Sequence, residues 1–117
     1  DLTMSNPDIL KYVKKDPLLH VDTLLADAKA WAGETELSDW KVSPLYGEMK
    51  NLPEVLLFSG TRELLYPDIA LLAEKLREAN VETEFEIGKN LNHVYPAFPI
   101  PEAKTAISKI AEFVKRK

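Results

Sequence analysis

Apolar residues fall into blocks along the chain, and each block has its own spacing. Val21, Leu24, Leu25, Ala28, Trp31 and Ala32 recur at three- and four-residue steps, which predicts a helix over about 21–32 with these side chains on its covered face. Gly33 is placed to end it. Ile69, Leu72, Ala73, Leu76 and Ala79 repeat the pattern over 67–80, with Pro67 at the start, Asp68 in the first turn and Lys75 and Arg77 towards the end. Ala103, Ala106, Ile107, Ile110, Phe113 and Val114 form one stripe of a helix over about 101–116. A shorter helix is expected over 7–14. Ser5 or Asn6 caps it, Pro7 takes its first position, Asp8 sits at its positive end, and Asp16-Pro17 stops it.

The intervening blocks read differently. Val55-Leu56-Leu57-Phe58 is apolar at every position and stops at Ser59-Gly60, the pattern of a strand buried on both faces. Val81 and the alternating Glu82-Thr83-Glu84-Phe85-Glu86-Ile87 predict a strand with one covered face. Glu34 to Pro53 is a long connection, expected to be packed by its own Trp40, Leu45 and Tyr46. Gly88 to Pro99 reads as a loop. Strand, helix and strand in succession make a βαβ unit of the α/β class, with parallel strands and a right-handed crossover.

Composition narrows the function classes. The chain has 117 residues, 45% hydrophobic and 29% charged, which suits one small soluble domain. Its longest apolar run, Ile69 to Ala73, falls far short of the roughly 20 residues that span a bilayer. The start, Asp1-Leu2-Thr3-Met4-Ser5, has neither the pattern of a signal peptide nor an initiator methionine. The expectation is therefore that Asp1 lies inside a longer parent sequence, with a cytoplasmic location as the default. Net charge is −4, and the basic residues are scattered, so no nucleic-acid partner is expected. The locally basic tail Lys115-Arg116-Lys117 suits the negative end of the last helix. With no cysteine, disulfides, thiolate nucleophiles and cysteine-bound metals are excluded.

Chemistry is best placed where the strands of a parallel unit end, because open α/β sheets carry their sites beyond that edge. The first strand runs into Ser59-Gly60-Thr61-Arg62-Glu63, and the second into Gly88-Lys89-Asn90-Leu91-Asn92-His93. Adjacent strands lie about 4.8 Å apart, so Glu63 and His93 can meet. A carboxylate beside an imidazole fixes the ring's tautomer and stabilises the imidazolium, leaving the other ring nitrogen to act as a base. The plainer alternatives are that Glu63 favours the positive end of the next helix and that His93 is an exposed loop histidine. His20 has no evident partner and reads as solvated or structural. Asp68 reads as a first-turn helix residue. Ser59 lacks the G-x-S-x-G elbow of a nucleophile and reads as a turn residue. Tyr95 and Phe98 read as packing residues.

The motifs and their order resemble the C-terminal portion of the hormone-sensitive-lipase-like α/β hydrolases. Asp1-Leu2-Thr3 resembles the segment after the family's sixth strand. Asp16-Pro17-Leu18 and Ser43-Pro44-Leu45 resemble two further recurrent stretches, and Leu52-Pro53-Glu54-Val55-Leu56 resembles the entry to the acid-bearing strand. Gly60-Thr61-Arg62-Glu63-Leu64-Leu65 resembles the acid motif G-x-x-D-x-L, with Glu in place of Asp, and Asn92-His93-Val94-Tyr95-Pro96 resembles the histidine motif. The family's G-D-S-A-G-G nucleophile motif and its H-G-G oxyanion stretch do not occur in this sequence.

The resemblance implies that residues 1–117 are a single C-terminal fragment of an α/β-hydrolase domain, with a helical segment at 1–33 and a βαβα segment at 54–117. It implies a serine carboxylesterase or lipase acting on short- to medium-chain esters, with Glu63 as triad acid, His93 as general base, and no metal or cofactor. The fragment alone is expected to be inactive. In the family's strand order, residues 55–58 would pair with an absent strand, which predicts homo-oligomers through that edge. The alternatives are a non-catalytic α/β binding module and a flavodoxin-like domain. Two predicted strands are too few for the latter, and it would need a phosphate-binding glycine loop that the sequence lacks.

Overall fold

The computed structural model describes residues 1–116. A 3₁₀ turn at Pro7–Lys11 precedes helix α1 (Val21–Ala32), and a second at Pro44–Tyr46 precedes strand β1 (Val55–Gly60). Helix α2 (Tyr66–Glu78), strand β2 (Thr83–Gly88), a third 3₁₀ turn at Tyr95–Ala97 and helix α3 (Pro101–Lys115) follow. The first helix expected, over 7–14, is therefore only a short 3₁₀ segment; Asn6 Oδ1 caps it by accepting from the Asp8 N–H at 3.0 Å.

β1 and β2 pair in parallel, with Leu57 opposite Phe85 and Gly60 opposite Gly88. The crossover between them is α2. Its Leu76 packs with Met49 and Val81, and Val55, Leu57, Leu72 and Ala79 close around that cluster. Along β1 the residues facing α2 therefore alternate with Leu56 and Phe58 on the other face, where Phe58 shares a cavity with Ile107 and Ile110 of α3. The four apolar residues of β1 are half-buried rather than buried on both faces. Among the described residues the sheet has two strands.

Several expected core side chains lie outside. In α3, Ala103 and Ala106 are buried, but Ile107, Ile110 and Val114 are exposed. Trp31 on α1 is 80% exposed, although it shares a periodic stripe with the buried Ala28 and Ala32. Of the three side chains expected to pack the long connection, only Leu45 is buried; Trp40 and Tyr46 are exposed, and Met49 is the other apolar residue of the segment that reaches the core. Polar contacts hold that segment as well. Ser43, fully buried, donates to the Leu37 carbonyl at 2.6 Å and accepts from the Leu2 N–H at 2.7 Å. Lys75 on α2 donates to the Leu45 carbonyl at 2.6 Å.

The basic end of α3 reaches across the sheet. Arg116 pairs with Glu84 at 2.7 Å and with Glu54 at 3.3 Å, and Lys109 pairs with Glu86. Lys117, the last residue of the basic tail, lies outside the described residues.

Candidate functional site

The exit loops of β1 and β2 are tied to each other by backbone contacts. Thr61 N–H donates to Gly88 O at 2.9 Å, and Arg62 N–H donates to Leu91 O at 3.1 Å. Asn90 N–H donates to Thr61 Oγ1 at 2.8 Å. Gly60 lies at the point of closest approach. A Cβ there would collide with the carbonyl oxygens of Leu91 and Asn92, so the approach requires glycine. The chain then turns sharply: Gly60 O accepts from Glu63 N–H at 3.3 Å, and Glu63 O from Tyr66 N–H at 3.2 Å, where α2 begins.

This geometry brings Glu63 and His93 together. Glu63 Oε2 lies 2.5 Å from His93 Nδ1. Glu63 is 1% exposed. A buried carboxylate needs several donors, and its other oxygen, Oε1, receives two. One is the Ser59 hydroxyl at 2.5 Å and the other the Gly60 N–H at 2.8 Å. A carboxylate acceptor makes Nδ1 the protonated nitrogen and leaves Nε2 as the basic lone pair. His93 hydrogen-bonds to no other described residue, and about a third of its side chain is exposed. Glu63 is thus aimed at the imidazole, not at the start of α2.

The residue after His93 is strained. Val94 has φ 55° and ψ 31°, a left-handed conformation that costs a side chain with a Cβ roughly 1–2 kcal/mol. Tyr95 anchors the same turn. It is buried, and its ring meets Phe58 edge-on at 6.2 Å. Burial, with a lesser contribution from Glu86, raises its phenol above the ordinary value of 10.0.

The remaining residues singled out in the sequence separate clearly. His20 is exposed and precedes α1 without a side-chain cap bond. Asp68 is in the first turn of α2, but it is also buried and accepts from Asn6 Nδ2 at 2.8 Å, tying the N-terminal segment to α2. Ser59 is not in a turn. It is an inward residue of β1, 2% exposed. Phe98 is 41% exposed.

Asp16 carries more than a helix stop. Buried, it accepts from Leu18 and Leu19 N–H through Oδ1 and from Leu64 N–H through Oδ2, at 2.8–2.9 Å. It therefore clamps the backbone immediately after Glu63. Its sequence signals are the pairing with Pro17 and the resemblance of Asp16-Pro17-Leu18 to a recurrent stretch, and neither reveals the contact with Leu64.

Beside the pair lies a cavity of about 450 Å³ lined by Phe58, Ile69, His93, Val94, Ile107 and Ile110 among others. Its walls are mainly apolar, with the imidazole as a polar group on the rim. No group of three or more His, Asp or Glu able to hold a metal ion occurs among the described residues. No described helix is long and apolar enough to cross a membrane.

Known proteins resemble this chain in sequence and in fold. The sequence model of the alpha/beta hydrolase fold matches residues 1–97. An esterase of Acinetobacter venetianus is 32% identical over 116 residues, covering 97% of this chain and 38% of its own length. The crystal structure of EstE7, an HSL homologue from a metagenome library, superposes with a TM-score of 0.93 at 28% identity, over 99% of this chain and 41% of that one. That of an esterase from the bacterial hormone-sensitive lipase family superposes with a TM-score of 0.94 at 26% identity, over 99% and 40%. The chain thus spans about two-fifths of the length of these relatives. On sequence and on fold, it belongs to the hormone-sensitive-lipase-like α/β hydrolases, as a fragment of that fold with two parallel strands and three helices.

Proposed function

We propose that this chain is the acid- and base-bearing part of a serine carboxylesterase. Glu63 is the triad acid and His93 the general base, and the nucleophilic serine and oxyanion-hole amides come from the part of the fold not present in residues 1–117. The observation that carries the reading is the 2.5 Å contact between Glu63 Oε2 and His93 Nδ1, made by a buried carboxylate to a partly exposed ring. The esterase names of the relatives support ester hydrolysis, and we take short- to medium-chain carboxylic esters as the substrates that the family resemblance implies.

In this mechanism His93 Nε2 takes the proton of the serine hydroxyl as its oxygen attacks the ester carbonyl carbon. Glu63 stabilises the imidazolium through Nδ1–H without taking that proton. The imidazolium gives its proton to the leaving alkoxide, and an acyl-serine remains. His93 then deprotonates a water that attacks the acyl carbon, and the returning proton restores the serine as the acid leaves. Glu in place of Asp is compatible with this chemistry.

The same reading makes the isolated chain inert, since both nucleophile and oxyanion hole are missing. It also leaves the free edge of β1 open to pairing with a second copy. The test is hydrolysis of p-nitrophenyl acetate and butyrate by the isolated chain and by the chain joined to the nucleophile-bearing part of the fold. Turnover only in the joined protein is expected. Turnover by the isolated chain would overturn the reading.

A further inference from the structure

The geometry points to Ser59 as a positioning residue for the Glu63–His93 pair, an inference that rests on the triad reading above. Glu63 has one more rotatable bond than an aspartate would, so its carboxylate can swing unless it is held. Ser59 stands four residues earlier in the chain, at the end of β1, and its hydroxyl lies 2.5 Å from Glu63 Oε1. With the Gly60 N–H at 2.8 Å on the same oxygen, it fixes Oε1 and so directs Oε2 at His93 Nδ1.

Among the described residues the hydroxyl has no other partner, and Ser59 is 2% exposed. It is therefore committed to the carboxylate and closed to substrate, which excludes it as a nucleophile. Ser59 thus acts through Glu63, which acts through the imidazole. Its removal should loosen the ring without removing any group that touches an ester.

Ring nitrogen and proton NMR of His93 in this chain tests the assignment, with Glu63→Gln as the reference variant. In the native chain the Nδ1–H tautomer should dominate, with a downfield ring proton protected from exchange. Ser59→Ala should accelerate exchange of that proton by at least about tenfold and admit the other tautomer. Ser59→Thr, which keeps the hydroxyl, should restore both. Backbone amide spectra of β1 and β2 establish that each variant is folded. If Ser59→Ala unfolds the chain, Ser59→Cys, with its weaker donor, takes its place and should show a smaller change in the same sense.

A Ser59→Ala variant that unfolds at lower urea but keeps the native ring signals would make Ser59 merely structural and overturn the inference. If Glu63→Gln changes the ring signals and Ser59→Ala does not, only the role of Ser59 fails. If Glu63→Gln also leaves them unchanged, the pairing itself fails, and the triad reading with it.

Discussion

Glu63 holds a buried charge against donors from three residues, and two of the three lie within four positions of it in sequence. The third, His93, is distant in sequence and arrives only because Gly60 lets the two exit loops touch. Tyr95 completes the turn, and its burial has a consequence that can be measured. Its phenol is raised above 10.0 in the folded chain, so the unfolded chain releases that proton first. The stabilisation is present below about pH 10 and is lost as pH rises through the folded value. Tyr95→Phe should therefore make the loss of stability above pH 10 shallower, as read from urea midpoints across the alkaline range. At this scale the sequence was partly legible. Glu63 and His93 could be named because strand ends and motifs marked them. The hydrogen bond of Ser59 was hidden, because a serine before a glycine reads equally as a turn. The left-handed Val94 was hidden too, since a β-branched residue is the last expected at positive φ.

Elements are legible in the sequence wherever periodicity and proline or glycine agree. The helix over 21–32, the helix starting near Pro67, both strands and the last helix lie within a few residues of their expected bounds. The 7–14 helix shrank to a 3₁₀ turn. Its expected stop, Asp16, is instead a structural clamp, a role that depends on Leu64 at a separation of 48 residues, which local pattern does not reveal. Asp16→Ala would strip the acceptor from the N–H groups of Leu18, Leu19 and Leu64. The buried Leu64 donor left unpaired is costly and the two part-buried donors add to the loss, so the chain should lose on the order of 3 kcal/mol of stability in urea titration. A loss below about 1 kcal/mol would show that water satisfies those groups instead.

The whole molecule is open on one side. Its radius of gyration, 14.9 Å, exceeds the roughly 13 Å of a compact domain of this length. Ile107, Ile110 and Val114 on α3 are exposed apolar groups, and the first two line the cavity together with Phe58. Apolar periodicity marks their stripe, but whether a stripe is covered depends on tertiary neighbours, which periodicity does not reveal. The free edge of β1 beside that surface predicts self-association. Sedimentation of the isolated chain at high micromolar concentration should show dimers or larger species, and a monomer there would contradict edge pairing. The central claim, that Glu63 and His93 are the acid and base of an ester hydrolase, is tested most directly by one number. It is kcat for p-nitrophenyl butyrate in the chain joined to its nucleophile-bearing part, with and without His93→Ala. The triad predicts a fall of at least about 10⁴-fold. A change of less than about tenfold in a folded variant would contradict it, since a general base contributes at least about 10².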